Sequence, residues 1–81
     1  MKRETILIKL QKIFKDEISI TITENTKIED LKLHSITEDI LSVSIEDTFY
    51  IFLEHDTFDH VETIDDLITY IENCIVELKE K

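Results

Sequence analysis

Side chains able to do chemistry are few in this sequence and gather in three places. The densest is His55-Asp56-Thr57-Phe58-Asp59-His60, where two imidazoles and two carboxylates have the types that ligate divalent metals. The step from His55 to His60 puts the rings on different sides of a helix, and no third cluster supplies further ligands. The segment therefore reads as a solvated acidic stretch with no metal. The second place is His34-Ser35, a base beside a nucleophile. Adjacent residues at a helix start point in different directions, and no Asp-His-Ser order is discernible. A chain of 81 residues also seldom encloses a substrate pocket, so it does not read as an enzyme. The third is Ser35 itself, followed by Glu38 in the form of a capping box.

The elements that must position Ser35 follow from apolar spacing. Leu7, Leu10, Ile13 and Phe14 recur at helical intervals, with Lys9, Lys12 and Lys15 opposite, which predicts a helix over 4–15. From Ser35, Leu41, Ile45 and Phe49 step by four residues, widened by Ile36, Ile40 and Val43, and predict a second helix over 36–50. A short acidic helix over 56–61 has Phe58 and Val61 as anchors. Thr63-Ile64-Asp65-Asp66 then opens a last helix over 64–78, with a stripe of Ile64, Leu67, Ile68, Ile71, Ile75 and Leu78. Lys79 and Lys81 suit its C-terminal dipole. The stretch Ile18-Ser19-Ile20-Thr21-Ile22-Thr23 conflicts with this pattern, because its β-branched alternation is a strand signal. Its one candidate partner is Phe49-Tyr50-Ile51-Phe52-Leu53, which would give an α+β fold.

Composition removes several classes of function. Nineteen acids against nine Lys and Arg give a net charge of -10. Residues 33–78 hold twelve of those acids and no Lys or Arg. Such a chain lacks the positive field that binds nucleic acid or an anionic membrane surface. There is no glycine, so no glycine loop of the GxGxxG or GxxxxGK[ST] kind can form. Helix ends and turns must then rely on Asn, Asp, Ser and Thr, as in TENTK, LHSITED and HVETIDD. Ile, Leu, Val and Phe make 30 of the 81 residues, well above a disordered composition, and imply a single domain over 1–81. Cys74 is the lone cysteine, which leaves no internal disulfide or Cys-based zinc site. The N-terminal residues have no secretory pattern and no apolar run approaches a membrane span, so a soluble, cytoplasmic domain is expected.

Glu29-Asp30-Leu31-Lys32-Leu33-His34-Ser35-Ile36 resembles the Glu-Asp-Leu-Gly-x-Asp-Ser-Leu stretch of the acyl carrier protein family. That family's serine receives 4′-phosphopantetheine at the start of its second helix. The register continues without gaps. Leu41, Ile45 and Phe49 fall on core positions of that helix, and Glu46-Asp47 on its acidic pair. Val61, Thr63 and Ile64 match an Ile-x-Thr-Val junction, and Leu67, Tyr70 and Ile71 the helix after it. The resemblance covers roughly residues 6–72. It departs at Lys32 for glycine, His34 for aspartate, Ile36 for leucine and Ile40 for an exposed glutamate, while Glu38 and Asp39 supply acid nearby.

The resemblance implies an all-α, four-helix bundle of acyl-carrier type, with Ile18–Thr23 beginning a long loop between helices I and II. It implies covalent 4′-phosphopantetheine on Ser35, and an arm that presents acyl thioesters to fatty acid or polyketide-type enzymes. Partner recognition would fall to Ile36, Glu38, Asp39, Glu46 and Asp47, and an acyl pocket to Val43, Val61 and Leu67. The implied partners are a phosphopantetheinyl transferase and acyl-transferring and ketosynthase-type enzymes with basic surfaces, which meet a monomeric carrier. Two other readings fit the same residues: an immunity-protein-like inhibitor module, and a degenerate carrier kept for protein binding, neither with a covalent cofactor.

Overall fold

Leu41, Ile45 and Phe49 are all buried, and together they form the inner face of α2 (Ser35–Phe49). They pack into one core with α1 (Arg3–Ile18), α3 (Thr57–His60) and α4 (Ile64–Lys79). The computed structural model describes residues 1–79, with side chains as far as Val76. Its four helices are joined by loops, with a single 3-10 turn at Ile28–Leu31, and the described residues contain no strand. The fold is an all-α four-helix bundle. In α1 the buried stripe is Ile6, Leu10, Ile13 and Phe14, so Ile6 takes the place expected of Leu7, which is half-buried. In α4 the stripe is Ile64, Leu67, Ile68 and Ile71, with Ile75 half-buried. The expectations for the side chains of Leu78, Lys79 and Lys81 lie outside the described residues.

The alternating isoleucines take neither of their local options whole. Ile18 ends α1, where Ser19 turns left-handed (φ 58°) and Ile20 N–H donates to the Phe14 carbonyl at 3.4 Å. Beyond it Ile22 is fully buried and Ile20 half-buried, while Ser19, Thr21 and Thr23 face water. The period-two burial of a strand is therefore present, without a partner strand. Gln11 Nε2 instead donates to the Ile22 carbonyl at 3.0 Å and holds the loop on α1.

The end of this loop is tied to the start of α4. Lys27 and Thr63 form an isolated antiparallel bridge, with Ile28 N–H donating to the Glu62 carbonyl at 2.8 Å. Ile64 N–H donates to Thr26 O and Asp65 N–H to Glu24 O, both at 2.9 Å. The next amide, Asp66 N–H, donates to Thr63 Oγ1 at 3.2 Å, and Thr63 N–H returns the bond to Asp66 Oδ2 at 3.2 Å. The first three amides of α4, which no helical carbonyl can serve, are thus all satisfied. The far side of α4 is clamped by Arg3, whose guanidinium meets Asp65 Oδ1 at 2.6 Å and Glu72 Oε1 at 2.9 Å. These bonds, Asp65 first, push Arg3 above its ordinary pKa.

Two capping expectations are corrected. Ser35 is the first helical residue rather than the N-cap, a role that falls to His34 (φ -92°, ψ 162°) with no side-chain cap. Glu38 N–H closes the first turn onto the His34 carbonyl at 2.9 Å. Starting one residue early moves the Ser35 hydroxyl out of the only position from which it can bond the N2 or N3 amide. Left-handed helix ends also do not keep to Asn, Asp, Ser and Thr: after Ser19 they fall on Lys32 (φ 52°) and Tyr50 (φ 56°). A C-cap of this kind is a demand of the backbone path, and without glycine the resident side chain takes it at a cost of about 1–2 kcal/mol. Lys32 stands where the family resemblance puts glycine, and its φ is the reason glycine suits the position.

Candidate functional site

The Leu33–His34 connection leads out of the left-handed Lys32 and delivers Ser35 to the first turn of α2 with its side chain exposed to water. The amides of Ser35, Ile36 and Thr37 precede the first helical hydrogen bond, so an exposed hydroxyl sits at the positive end of a helix dipole. Beside this start lies a cleft of about 560 Å³ between the Ile28–Leu31 turn, the first turns of α2 and α3. Ile28, Leu33, Phe58 and Val61 form its apolar lining, and Lys27, Lys32, Glu29, Glu38, Asp59 and Glu62 its charged one. Leu33 and Glu38, on either side of Ser35 in sequence, both line it.

The expected site residues divide between this cleft, the core and open surface. Glu38 and Val61 share the cleft, while Leu67 is fully buried in the core. Val43, expected beside Val61 and Leu67, is 56% exposed on the outer face of α2 and does not join them. Its position two residues from both Leu41 and Ile45 turns it about 160–200° away from the inner stripe. Ile36 (75% exposed) and Asp39 are open to solvent. Asp47 is exposed as well, and edges a shallow groove with Lys9 and Lys12 of α1. Glu46 is half-buried, and its Oε2 accepts the Leu53 N–H at 3.0 Å, so part of its role is to hold the chain after α2.

Across the cleft, α3 is a single turn with Thr57 and Phe58 buried. Its ends are joined by His60 Nε2 and Asp56 Oδ2 at 2.8 Å, and that hydrogen bond holds the Asp56 carboxyl below its ordinary range. His55 and His60 do not converge with acids into a ligand set: among the described residues no group of three metal-binding side chains occurs.

Sequence reasoning did not single out Lys27, Lys32, Leu33 and Phe58 as neighbours in one cleft. The available signal was positional, since Lys27 and Lys32 are the last two cations before the basic-free run of 33–78. It also passed over Arg3, whose partners lie more than sixty residues away. No described helix is long and apolar enough to cross a membrane.

The chain is 32% identical over 80 residues to the acyl carrier protein of Exiguobacterium sibiricum, a match that spans 93% of this chain and 100% of that one. No family model matches the chain.

Proposed function

This chain belongs to the acyl carrier protein family, and from that membership we propose that it is a carrier rather than an enzyme, with Ser35 as its attachment site for 4′-phosphopantetheine. The observation that carries this is the Ser35 hydroxyl, exposed at the first turn of α2 and committed to no cap. Bound there, the arm supplies a terminal thiol that holds acyl groups as thioesters. The residues present fit such a group. The helix start favours the anionic linkage, because its free amides and dipole attract negative charge. In the adjoining cleft Lys27 and Lys32 stand among Glu29, Glu38, Asp59 and Glu62, and its apolar lining of Ile28, Leu33, Phe58 and Val61, with Leu67 in the core, gives a sheltered surface for cargo. The acids Glu38, Asp39 and Asp47, with Ile36 among them, face partner enzymes with basic surfaces: a phosphopantetheinyl transferase, and acyl-transferring or ketosynthase-type enzymes of fatty acid or polyketide synthesis.

Incubation with a phosphopantetheinyl transferase, Mg²⁺ and coenzyme A tests this by intact-mass measurement. One prosthetic group of about 340 Da is expected on the wild type and none on Ser35→Ala. Because Ser35 makes no capping bond, that variant should stay within about 0.5 kcal/mol of wild-type stability. His34 stands where the family has an aspartate, and an imidazole does not reproduce that anion, so His34→Asp should load faster. If several transferases modify neither protein, the carrier function fails in favour of a non-covalent acidic binding module. Modification at Ser42 or Ser44 would keep the carrier and refute the assignment of Ser35.

A further inference from the structure

Two aromatic residues just past the end of α2, Tyr50 and Phe52, stand outside the core. Tyr50, its C-cap, is 85% exposed, and Phe52 is 74% exposed, though large aromatic side chains ordinarily supply buried area. Tyr50 holds a left-handed backbone that a bulky side chain does not favour. Between and after them Ile51 and Leu53 are buried, so the alternation puts Phe52 on the outer side, within about 7 Å of Tyr50 along the chain. Exposed apolar residues also occur along α2. Ile36, Ile40, Val43 and Tyr50 are separated by four, three and seven residues, lie on one helical face, and are all exposed. The result is an apolar face from Ile36 to Val43, beside Ser35, and a second apolar patch at Tyr50 and Phe52 about 22 Å from Ser35, with Asp47 between them.

The charge around the distal end identifies what covers it. Asp47 lies on the same face one turn before Tyr50, Glu54 lies beyond Phe52 on the outer side of the chain, and both are exposed. Lys9 and Lys12 line the groove on the α1 side together with Asp16, Glu17, Ser44, Asp47 and Thr48, while Tyr50, Phe52 and Glu54 are not part of that lining. A second copy would bring the same acids together on a chain of net charge -10, and an anionic membrane would be repelled in the same way. We infer that Tyr50 and Phe52 form a distal docking anchor for a protein partner whose apolar pocket is rimmed by Lys or Arg, about 22 Å along α2 from Ser35. This rests on the carrier function only in that the docked partner is one that handles the arm. It adds an anchor that works without the arm.

The test uses the unmodified protein and defined probes. An 18-residue amphipathic helical peptide with Leu on one face and Arg on the other is titrated and followed by amide chemical shifts. Control peptides replace Leu by Ser, or Arg by Glu. The Leu/Arg peptide should shift the amides of Val43, Asp47, Tyr50 and Phe52 most, and bind at least tenfold more tightly than either control. The double variant Tyr50→Ser/Phe52→Ser should lose at least tenfold in affinity with its helical circular dichroism unchanged. Phe52→Ser alone, which leaves the α2 cap untouched, should lose at least threefold. Equal binding of the Ser/Arg peptide, shifts centred on Ile36, or full affinity in the variants would overturn the proposal. So would binding to phosphatidylcholine vesicles, or self-association that the double variant abolishes, since each names a different occupant. Loading of Ser35 is measured on the same samples. Failure there removes the carrier function and leaves the peptide result to judge the anchor.

Discussion

Two aromatic residues adjacent in sequence meet opposite fates, and that contrast tests the register of α2. Phe49 is 4% exposed in the core with Leu41 and Ile45, while Tyr50 is open to water. Truncating a buried phenylalanine to alanine removes its transfer free energy and leaves a cavity, together about 3–5 kcal/mol. The whole domain is worth roughly 0.05–0.15 kcal/mol per residue, or about 4–12 kcal/mol for a chain of this length. Phe49→Ala should therefore remove about a quarter or more of the stability. At about 4–8 °C per kcal/mol, the melting temperature should fall by at least ~12 °C. Tyr50→Ser loses little packing and should stay within about 0.5 kcal/mol. Urea unfolding followed by circular dichroism measures both, with the denaturant slope as a check that each variant unfolds from the same native state. If Phe49→Ala melted within a few degrees of wild type, or Tyr50→Ser were the more damaging, the inner face of α2 would be misassigned.

Three further outcomes are expected. Association with a phosphopantetheinyl transferase should weaken as salt rises, and Asp47→Lys should slow it roughly threefold to tenfold with little change in dissociation, measured by surface plasmon resonance. Asp47 is the clean site for this, because reversing Glu46 would also break its bond to the Leu53 amide. The depressed carboxyl of Asp56 contributes stability that is present above its ordinary pKa of 3.8 and is lost as pH falls through its lower folded value. His60→Ala should accordingly raise the Asp56 midpoint toward 3.8 in a carbon-detected NMR titration, and an unmoved midpoint would exclude the hydrogen bond as its cause. Lys32→Gly relieves a left-handed backbone at about 1–2 kcal/mol and gives back about 0.4–1 kcal/mol in unfolded-chain entropy, so thermal melting should show a gain of up to ~1.6 kcal/mol.

What the sequence determined by itself is whatever depends on residues within one or two turns. The inner faces of α2 and α4 were legible because a 3.6-residue period sorts side chains before any packing occurs, and Phe49 and Leu67 are buried as that period requires. The Thr63–Asp66 cap was legible for the same reason, since donor and acceptor lie three residues apart. The all-α class and the chemical candidacy of Ser35 came from the family register, since periodicity alone left the strand pair of Ile18–Thr23 and Phe49–Leu53 open.

Tertiary structure decided everything that depended on what stood opposite. Ile18–Thr23 carries a true strand alternation, but a strand needs a neighbour's amides, and the loop finds Gln11 and the start of α4 instead. The choice of His34 over Ser35 as N-cap turned on where the chain leaves Lys32, one residue earlier than the capping pattern suggests. Val43, expected in an acyl pocket with Val61 and Leu67, is exposed, because burial depends on what stands against that face of α2. Arg3 clamps Asp65 and Glu72, and Lys27 meets Thr63, across separations that no local pattern encodes. Periodicity fixes which side chains share a face, while the packing of the other helices fixes which face is dry.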